Sequence, residues 1–273
     1  MKKPLLDVIF MSEKRKNALL LLQDGAQEME YLLKSLNTTR QAFLPQIRIL
    51  EEHHLVTHDK DIYELTTIGK LIVDDMFPLL STLNVLDVDI EYWGTHQLDF
   101  IPPYLLQRIN ELGPCDLIKI GLHEIFEEDK QFTKEAKMSK SVYTMSSFVF
   151  PNFEQTFSEL IANNVNIFII ISKELYEKLI SDNPERSQAL IDNPNIHLSV
   201  YPNRFDFLSV SINDYSCMLK LLTEQGVSDN KRVICSSDSA ISWGKELFEY
   251  YLKNSIPIIE SSQIAHGVRL FQA

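Results

Sequence analysis

The segment Thr38–Leu50, TTRQAFLPQIRIL, decides the fold of the first third of the chain. Apolar residues recur there at steps of four and three, at Phe43, Ile47 and Leu50. This spacing predicts an amphipathic helix with one buried face. Pro45 lies inside the helix and is expected to kink it, because proline removes a backbone donor. The segment contains two arginines and no acidic residue.

The opposite face of this helix has the composition of a DNA-reading surface. Arginine and glutamine recognise base edges in the major groove, whereas a carboxylate there would be repelled by phosphate. A helix that needs only to be soluble usually mixes charges of both signs. The predicted DNA contacts, including the polar turn downstream, are Thr38, Thr39, Arg40, Gln41, Leu44, Gln46, Arg48, His58 and Lys60.

The flanking patterns predict a winged helix-turn-helix. One helix precedes the segment with Ser12 as its N-cap, and a second runs from about Ala26 to Leu36. Two short strands follow around the polar tip 58–61, and a fourth helix covers about 68–86. In this arrangement the second and third helices form the pair that docks on DNA.

From Trp93 onward, strand patterns alternate with helical ones, which predicts a mostly parallel or mixed sheet covered by helices. The predicted fold class is therefore a two-domain α/β protein with an N-terminal winged helix-turn-helix. We place the DNA-binding domain at residues 1–88 and an α/β effector domain at 89–273. The expected strands cover about 117–120, 142–147, 165–171, 196–201, 207–212, 217–222 and 232–236.

Ligands of such sheets bind beyond the carboxyl ends of the strands. Ser146 and Ser147 end one predicted strand, and Ser172 begins the helix after the next, so they are candidate ligands of an anion or polar molecule. Ordinary helix capping is the alternative for these serines. Lys140 either adds positive charge at this edge or is a solvated surface lysine. Trp243 lies on an apolar helical stripe that is either core or a pocket wall.

The net charge of −12 is unevenly distributed. Residues 1–85 hold ten basic and twelve acidic side chains, a net charge of −2, so −10 lies on the remainder. No apolar run reaches the ~20 residues of a membrane span, and we expect a cytoplasmic protein. Three widely spaced cysteines imply no disulfide framework. Nucleophile-elbow, Walker and zinc-protease motifs are absent from the sequence, so we expect no enzyme, cofactor or metal.

Motifs across nearly the whole chain resemble those of archaeal winged-helix transcriptional regulators that carry a methanogenesis-regulator middle domain. The wing motif is common to many winged-helix families, but its combination with a Trp-Gly and Tyr-Tyr helix is more specific. The resemblance implies a dimeric transcription factor whose second domain senses or transmits a signal, and it transfers no ligand residues. The matching N-terminal residues are Ser12-Glu13-Lys14-Arg15, Leu44-Pro45-Gln46, Leu50-Glu51-Glu52, Tyr63-Glu64-Leu65-Thr66 and Gly69. The C-terminal ones are Trp93, His96, Ile101-Pro102, Ser139-Lys140, Phe150-Pro151, Ser239, Ala240, Trp243-Gly244, Leu247-Phe248 and Tyr250-Tyr251.

Two functional hypotheses follow. The first is a sequence-specific regulator that binds double-stranded DNA as a homodimer and whose α/β domain senses a small-molecule effector or mediates dimerisation. The alternative is a protein-interaction or dimerisation scaffold with a winged helix and no ligand. A cavity in the α/β domain would favour the first hypothesis. A solidly packed domain with a large apolar partner face would favour the second.

Overall fold

The structure, a computed structural model, describes residues 3–121, 129–182 and 191–258. Its contacts divide the chain into two units, one ending at Ser81 and the other beginning at Thr82. The first unit is built of helices with a small sheet, and the second is built around a large mixed sheet. The predicted fold class is confirmed.

The first unit has the topology of a winged helix. Its three strands form an antiparallel sheet in the order β1-β3-β2, and β2 and β3 form the wing. Helices α3 and α4 form the helix-turn-helix pair. The elements are α1 (Leu5–Phe10), α2 (Glu13–Leu21), β1 (Gln27–Glu28), α3 (Met29–Ser35), α4 (Arg40–Glu52), β2 (Val56–Asp59), β3 (Ile62–Leu65) and α5 (Thr67–Leu86).

Local chemistry explains where α4 begins and which face it buries. The Thr39 side chain caps the helix by accepting a hydrogen bond from the backbone N–H of Ala42, at 3.4 Å. Phe43, Ile47 and Leu50 are fully buried in the core of this unit, as their spacing predicted. Their burial leaves the arginine-bearing face of α4 to solvent.

One predicted boundary was wrong. The second helix begins at Met29 and not at Ala26, because residues 27–28 pair with β3 as a third strand. Trp93 lies within a short helix, which Asp89 caps by accepting from the backbone N–H of Tyr92 at 3.0 Å. The short helix α1 was not predicted from the sequence.

The second unit contains an eight-stranded sheet in the order β11-β7-β6-β5-β8-β9-β10-β4. Strands β5, β6 and β7 are mutually parallel, and the other neighbours pair antiparallel. The strands are β4 (Cys115–Lys119), β5 (Ser141–Ser146), β6 (Asn166–Ser172), β7 (Ile196–Tyr201), β8 (Phe207–Ile212), β9 (Cys217–Leu221), β10 (Lys231–Cys235) and β11 (Ile256–Pro257). The helices are α6 (Ile90–Thr95), α7 (Pro103–Leu106), α8 (Lys130–Met138), α9 (Phe153–Ala162), α10 (Lys173–Asp182) and α11 (Asp238–Leu252), with a 3₁₀ turn at Ile109–Leu112.

Each face of this sheet packs in its own apolar core, because successive side chains of a strand point to opposite sides. On one face, strand residues such as Met145 and Val210 pack with α11, and we call this the α11 face. On the other face, Val142, Ile169 and Met218 pack with residues of α8, α9 and α10. We call this second side the pocket face.

Candidate functional site

The exposed side of α4 and the wing hold most of the predicted DNA contacts, whereas the pocket face of the sheet holds one predicted ligand residue, Ser146. On α4, Gln41 and Arg48 are exposed, and Leu44 is half-buried against the core. The Arg48 guanidinium makes no hydrogen bond or ion pair with a described residue. Its donors are therefore open to a ligand such as a phosphate or a base edge.

Arg40 is already paired. Its guanidinium binds the Asp61 carboxylate at the wing through two hydrogen bonds, one of them 2.9 Å between Nη1 and Oδ2. The hydrogen bond from Arg40 is the largest cause of a lowered pKa at Asp61, and the same bond raises the pKa of Arg40. The pair joins the start of α4 to the wing and neutralises one of the two arginines of α4.

Gln46 does not face outward as predicted. Its Oε1 accepts hydrogen bonds from Arg15 Nη1 at 2.8 Å and from Ser12 Oγ at 3.1 Å. The amide therefore ties α4 to α2, and its oxygen is already used. The structure thus excludes Gln46 from the exposed group of residues on this helix.

The remaining predicted DNA contacts lie on the wing and at the start of α4. His58 hydrogen-bonds Glu51 and stacks on the Tyr63 ring, with 5.1 Å between ring centroids. Lys60 lies in the two-residue turn of the hairpin with a φ of 54° and is exposed. Thr38 is half-buried and Thr39 is the cap of α4, so both lie beside the exposed residues at the start of this helix.

A pocket of about 160 Å³ lies on the pocket face, between the sheet and helices α8, α9 and α10. Its lining is mainly apolar and rich in aromatic rings. The few polar groups come mainly from strand positions, where Thr144 and Ser211 share a hydrogen bond of 2.6 Å. Residues of the lining include Phe132, Ser146, Phe148, Phe150, Phe153, Phe157, Leu160, Ile169, Ile171, Tyr176, Leu198, Ser209 and Met218.

Of the five predicted ligand residues, only Ser146 lines this pocket, and its hydroxyl donates to the Phe148 carbonyl oxygen at 2.6 Å. Ser147 instead hydrogen-bonds the Leu208 carbonyl oxygen at 3.0 Å. Ser172 caps α10 by accepting from the backbone N–H of Leu175 at 3.2 Å. Ser172 therefore has the capping role that was the alternative for these serines, whereas Ser147 binds the backbone of a neighbouring strand and caps no helix.

The other two predicted ligand residues also lie elsewhere. Lys140 is exposed, and its backbone N–H donates to Asp214 at 2.7 Å. Trp243 is fully buried on the α11 face, where its indole N–H donates to the Leu105 carbonyl oxygen at 2.9 Å. The prediction of Trp243 as a pocket wall was wrong, because α11 covers the face opposite to the pocket.

Three buried charged residues at the pocket face were missed by sequence reasoning. Arg232 on β10 pairs with Asp129, with 2.5 Å between Nη2 and Oδ2, and Asp129 itself lines the pocket. Lys220 on β9 is 6% exposed, and its Nζ lies 4.4 Å from the centroid of the Phe150 ring. A signal was available at Lys220, which interrupts the otherwise apolar pattern of β9. Arg232 gave no such signal, because it follows Lys231 at the start of β10.

Among the described residues, no cluster of histidine, cysteine and acidic side chains has the arrangement of a metal site. No described helix has both the length and the apolar character that crossing a bilayer requires.

The chain thus combines a winged-helix unit with an α/β unit that has a pocket on one face of its sheet. Two models of one family, described as the methanogenesis regulatory protein FilR1, match this chain. The N-terminal domain model matches residues 4–84 and the middle domain model matches residues 125–254. Together they span most of the chain, and the chain belongs to this family, which confirms the resemblance seen in the sequence.

Individual proteins are similar to this chain at low sequence identity. The methanogenesis regulatory protein FilR1 of Methanothrix harundinacea (strain 6Ac) is 22% identical over 253 residues, which are 91% of this chain and 56% of that protein. The mRNA-capping enzyme regulatory subunit of Vaccinia virus (strain Ankara) is 23% identical over 72% of this chain and 69% of its own length. The solved structure of TrmBL2, described as an archaeal chromatin protein, covers 90% of this chain and 94% of its own, with a TM-score of 0.42 and 13% identity.

Proposed function

We propose that this protein is a DNA-binding transcriptional regulator in which α4 enters the major groove of double-stranded DNA. The observation that carries the proposal is the exposed face of α4, which presents Arg40, Gln41 and Arg48 without an acidic residue between Thr38 and Leu50. Arginine and glutamine are suited to base edges and phosphates. The regulatory name of the matched family supports the same role.

The Arg40–Asp61 ion pair must open before Arg40 can bind DNA. Arg40 reaches DNA only after its pair with Asp61 opens, whereas Arg48 has no such pair to break. We therefore assign Arg48 and Gln41 to direct contact, Lys60 to a phosphate beside the wing, and Arg40 to a contact formed after this exchange. Thr38, Thr39, Leu44 and His58 keep positioning roles around them.

The α/β unit is proposed to sense a small molecule. The pocket on the sheet supports this assignment, because small-molecule sites in proteins are concave, mostly apolar and equipped with a few polar groups. We assign no catalytic activity to the chain, since the matched family and its FilR1 relative are named for regulation. A regulator of this kind acts beside the chromosome, in the cytoplasm.

We also propose that the protein acts as a homodimer through α5. Several large apolar side chains of this helix are exposed, including Leu71 at 68% and Leu79 at 53%. A second copy of the same helix is the partner that buries such a surface symmetrically. A dimer would present two copies of α4 to a palindromic site.

The test of the DNA proposal is a gel shift and footprint on the region upstream of the protein's own coding sequence, at a stated salt concentration. The expected result is a protected segment with two related half-sites. Binding that competitor DNA of random sequence removes completely would contradict a sequence-specific regulator.

The scaffold without a ligand remains the second candidate, and one observation favours it. The wing is acidic near its tip, where Asp59 and Asp61 flank Lys60, and acids at this place weaken contact with phosphate. The footprint separates the two candidates, because a scaffold would leave no protected segment.

A further inference from the structure

We propose that the pocket on the sheet binds an uncharged molecule built on a single ring, whose carbonyl oxygen accepts a hydrogen bond from the Tyr176 hydroxyl. This inference rests on the proposed sensing role of the α/β unit. It adds the chemical class of the ligand, for which the size of the pocket, its apolar lining and one buried hydroxyl give separate evidence.

The walls and the size of the pocket define the body of the ligand. Four phenylalanines of the lining form two edge-to-face pairs, with 4.8 Å between the ring centroids of Phe148 and Phe150 and 5.8 Å between those of Phe153 and Phe157. Aromatic walls favour another ring, through edge-to-face and offset-stacked contacts. A pocket of about 160 Å³ has room for about one benzene-sized group with a small substituent.

The charge of Asp129 in the lining is already compensated. Among the described lining residues there is no lysine, arginine or histidine, and Asp129 is the one acidic residue. Both of its carboxylate oxygens are in use. Oδ1 accepts a hydrogen bond from the backbone N–H of Phe132 at 2.7 Å, and Oδ2 pairs with Nη2 of Arg232 at 2.5 Å.

An ionised ligand therefore meets no counter-charge at the walls of the pocket. Lys220 is outside the described lining, and its Nζ lies 4.4 Å from the centroid of the Phe150 ring. An anion would have no cation in the lining, and a cation would meet an acid that is already paired. Because an uncompensated charge is costly to transfer from water to apolar surroundings, the pocket selects an uncharged ligand.

The Tyr176 hydroxyl is the polar group that a ligand would satisfy. Tyr176 lies on α10, lines the pocket and is 2% exposed. Its hydroxyl oxygen is buried and has no hydrogen-bond partner among the described residues. Burial raises the pKa of this hydroxyl, which therefore keeps its proton at neutral pH and can donate it. A buried donor without an acceptor is rare in folded proteins and points to a partner from outside the chain.

Other hydroxyls of the lining have partners within the protein. Thr144 and Ser211 share a hydrogen bond of 2.6 Å, and Ser146 donates to the Phe148 carbonyl oxygen at 2.6 Å. A carbonyl oxygen suits Tyr176 because it accepts a hydrogen bond without bringing a donor of its own. An alcohol or an amine would bring a further N–H or O–H group that needs an acceptor.

The experiment compares acetophenone with three probes of nearly the same shape. α-Methylstyrene has a methylene group in place of the carbonyl oxygen, benzoate is an anion, and benzamidinium is a cation. Each probe is titrated calorimetrically into the full chain at neutral pH. We expect acetophenone to bind at least about tenfold more tightly than either ion. An ion that binds as tightly as acetophenone, or more tightly, would overturn the uncharged class.

Tyr176→Phe locates the hydrogen bond, because it removes the hydroxyl and keeps the ring. Tyr215→Phe is the matched control at an exposed tyrosine of the same unit. We expect Tyr176→Phe to weaken acetophenone about fivefold and to leave α-methylstyrene within about twofold, since only the ketone accepts the bond. Equal changes for the two probes, or no change for acetophenone, contradict the assignment of Tyr176.

The stability of the same variants without a ligand shows whether the hydroxyl has a partner inside the protein. Removal of an unpaired buried hydroxyl should leave the urea midpoint of Tyr176→Phe unchanged or higher. A midpoint below those of the unmodified protein and of Tyr215→Phe would show that the hydroxyl is bonded within the folded chain. That result would overturn its role toward a ligand.

The proposed regulatory function is assayed separately on the same protein preparation. If no probe binds at millimolar concentration while the gel shift remains, the ligand proposal is overturned and the DNA-binding function stands. If acetophenone binds selectively and DNA does not bind, the ligand class is supported and the DNA-binding function fails. If both bind and acetophenone leaves the affinity for DNA unchanged, the ligand class is supported and the sensing role fails.

Discussion

Asp61 controls how much positive charge the α4 surface offers. Its carboxylate holds Arg40 in a two-fold hydrogen-bonded pair on the exposed side of the molecule. The pKa of Asp61 is lowered by this hydrogen bond, so the pair is complete at neutral pH. The contribution of this ion pair to the stability of the folded protein is lost only as the pH falls through the lowered pKa of Asp61. At neutral pH the Asp61 carboxylate is therefore ionised, as its pair with Arg40 requires.

Replacing Asp61→Asn is expected to strengthen DNA binding by several-fold at ~0.1 M salt, because it frees Arg40 and removes a charge that repels phosphate. Asp59→Asn is the matched control, since it removes an equal charge at the wing without releasing an arginine. Anisotropy titrations of a labelled operator measure both variants. A smaller gain for Asp61→Asn than for Asp59→Asn would show that the pair does not limit binding.

Position 69 requires glycine because the backbone of Leu55 passes close to it. A Cβ placed there would lie 2.0 Å from the Leu55 carbonyl oxygen, which the start of α5 cannot avoid. We expect Gly69→Ala to lower the free energy of unfolding by at least about 2 kcal/mol. Urea unfolding followed by circular dichroism measures the change.

Gly94→Ala is the control for this prediction. It lies in helix α6, and a Cβ there meets nothing within 4 Å. Alanine is about 1 kcal/mol more favourable than glycine inside a helix. Gly94→Ala should therefore be neutral or stabilising. Equal losses for the two variants would mean that the contact at Leu55 relaxes easily.

At the scale of elements, periodicity predicted most of the secondary structure. The hairpin of β8 and β9 is present around Asn213, whose Oδ1 accepts from the backbone N–H groups of Tyr215 at 2.7 Å and Ser216 at 2.8 Å. The strand β1 was missed because two residues are too few to show an alternation. The cap of α2 was predicted at Ser12, whose side chain accepts from the backbone N–H of Arg15.

The pocket could not be predicted from the strands alone. Sequence alternation separates the two faces of a strand but does not say which face α11 covers and which face α8, α9 and α10 cover. The serines at strand ends were a reasonable choice, yet only Ser146 reaches the pocket. The stronger signal was a charged residue inside an apolar strand, as at Lys220.

The three cysteines form a row across β4, β10 and β9. Cys115 and Cys235 are cross-strand partners with 2.8 Å between their sulfur atoms, and Cys217 is the partner of Cys235 on the other side. All three are buried, and burial raises the pKa of the Cys217 thiol to about 12. The thiolate, which is the reactive form, is therefore scarce at neutral pH.

We expect all three thiols to react slowly with an aromatic disulfide reagent in the native protein at pH 8, and rapidly in urea. The release of the coloured thiol measures both rates. Fast reaction of a thiol in the native protein would show that the strands β4 and β10 open on the time scale of the assay. Raising the pH towards the raised pKa should increase the native rate.

At the scale of the molecule, the exposed apolar side chains of α5 predict a dimer. Leu71→Glu introduces a charge where the second copy would pack, so sedimentation equilibrium should shift from dimer to monomer. Lys70→Glu is the control on the same helix, at an exposed position that is already polar. A monomer for the unmodified chain at micromolar concentration contradicts this interface.

The charge of the whole molecule sets the conditions of DNA binding. Residues 1–85 carry a net charge of −2 and the remainder carries −10, so most of the acidity lies outside the winged helix. Such a distribution predicts weak non-specific affinity, because acidic surfaces repel the duplex beyond the docking face. We therefore expect specific binding to depend on the few exposed donors of α4 and, in the proposed dimer, on two half-sites bound at once.

The affinity of Arg48→Ala for the upstream operator decides whether α4 is the DNA-reading helix. Anisotropy titrations at several salt concentrations should compare it with Arg204→Ala, which removes an exposed arginine from the α/β unit. We predict that Arg48→Ala weakens binding about fivefold or more, as expected for the loss of a contact worth about 1–3 kcal/mol, and that Arg204→Ala changes little. Equal affinities for the two variants and the unmodified protein would contradict α4 as the DNA-reading helix.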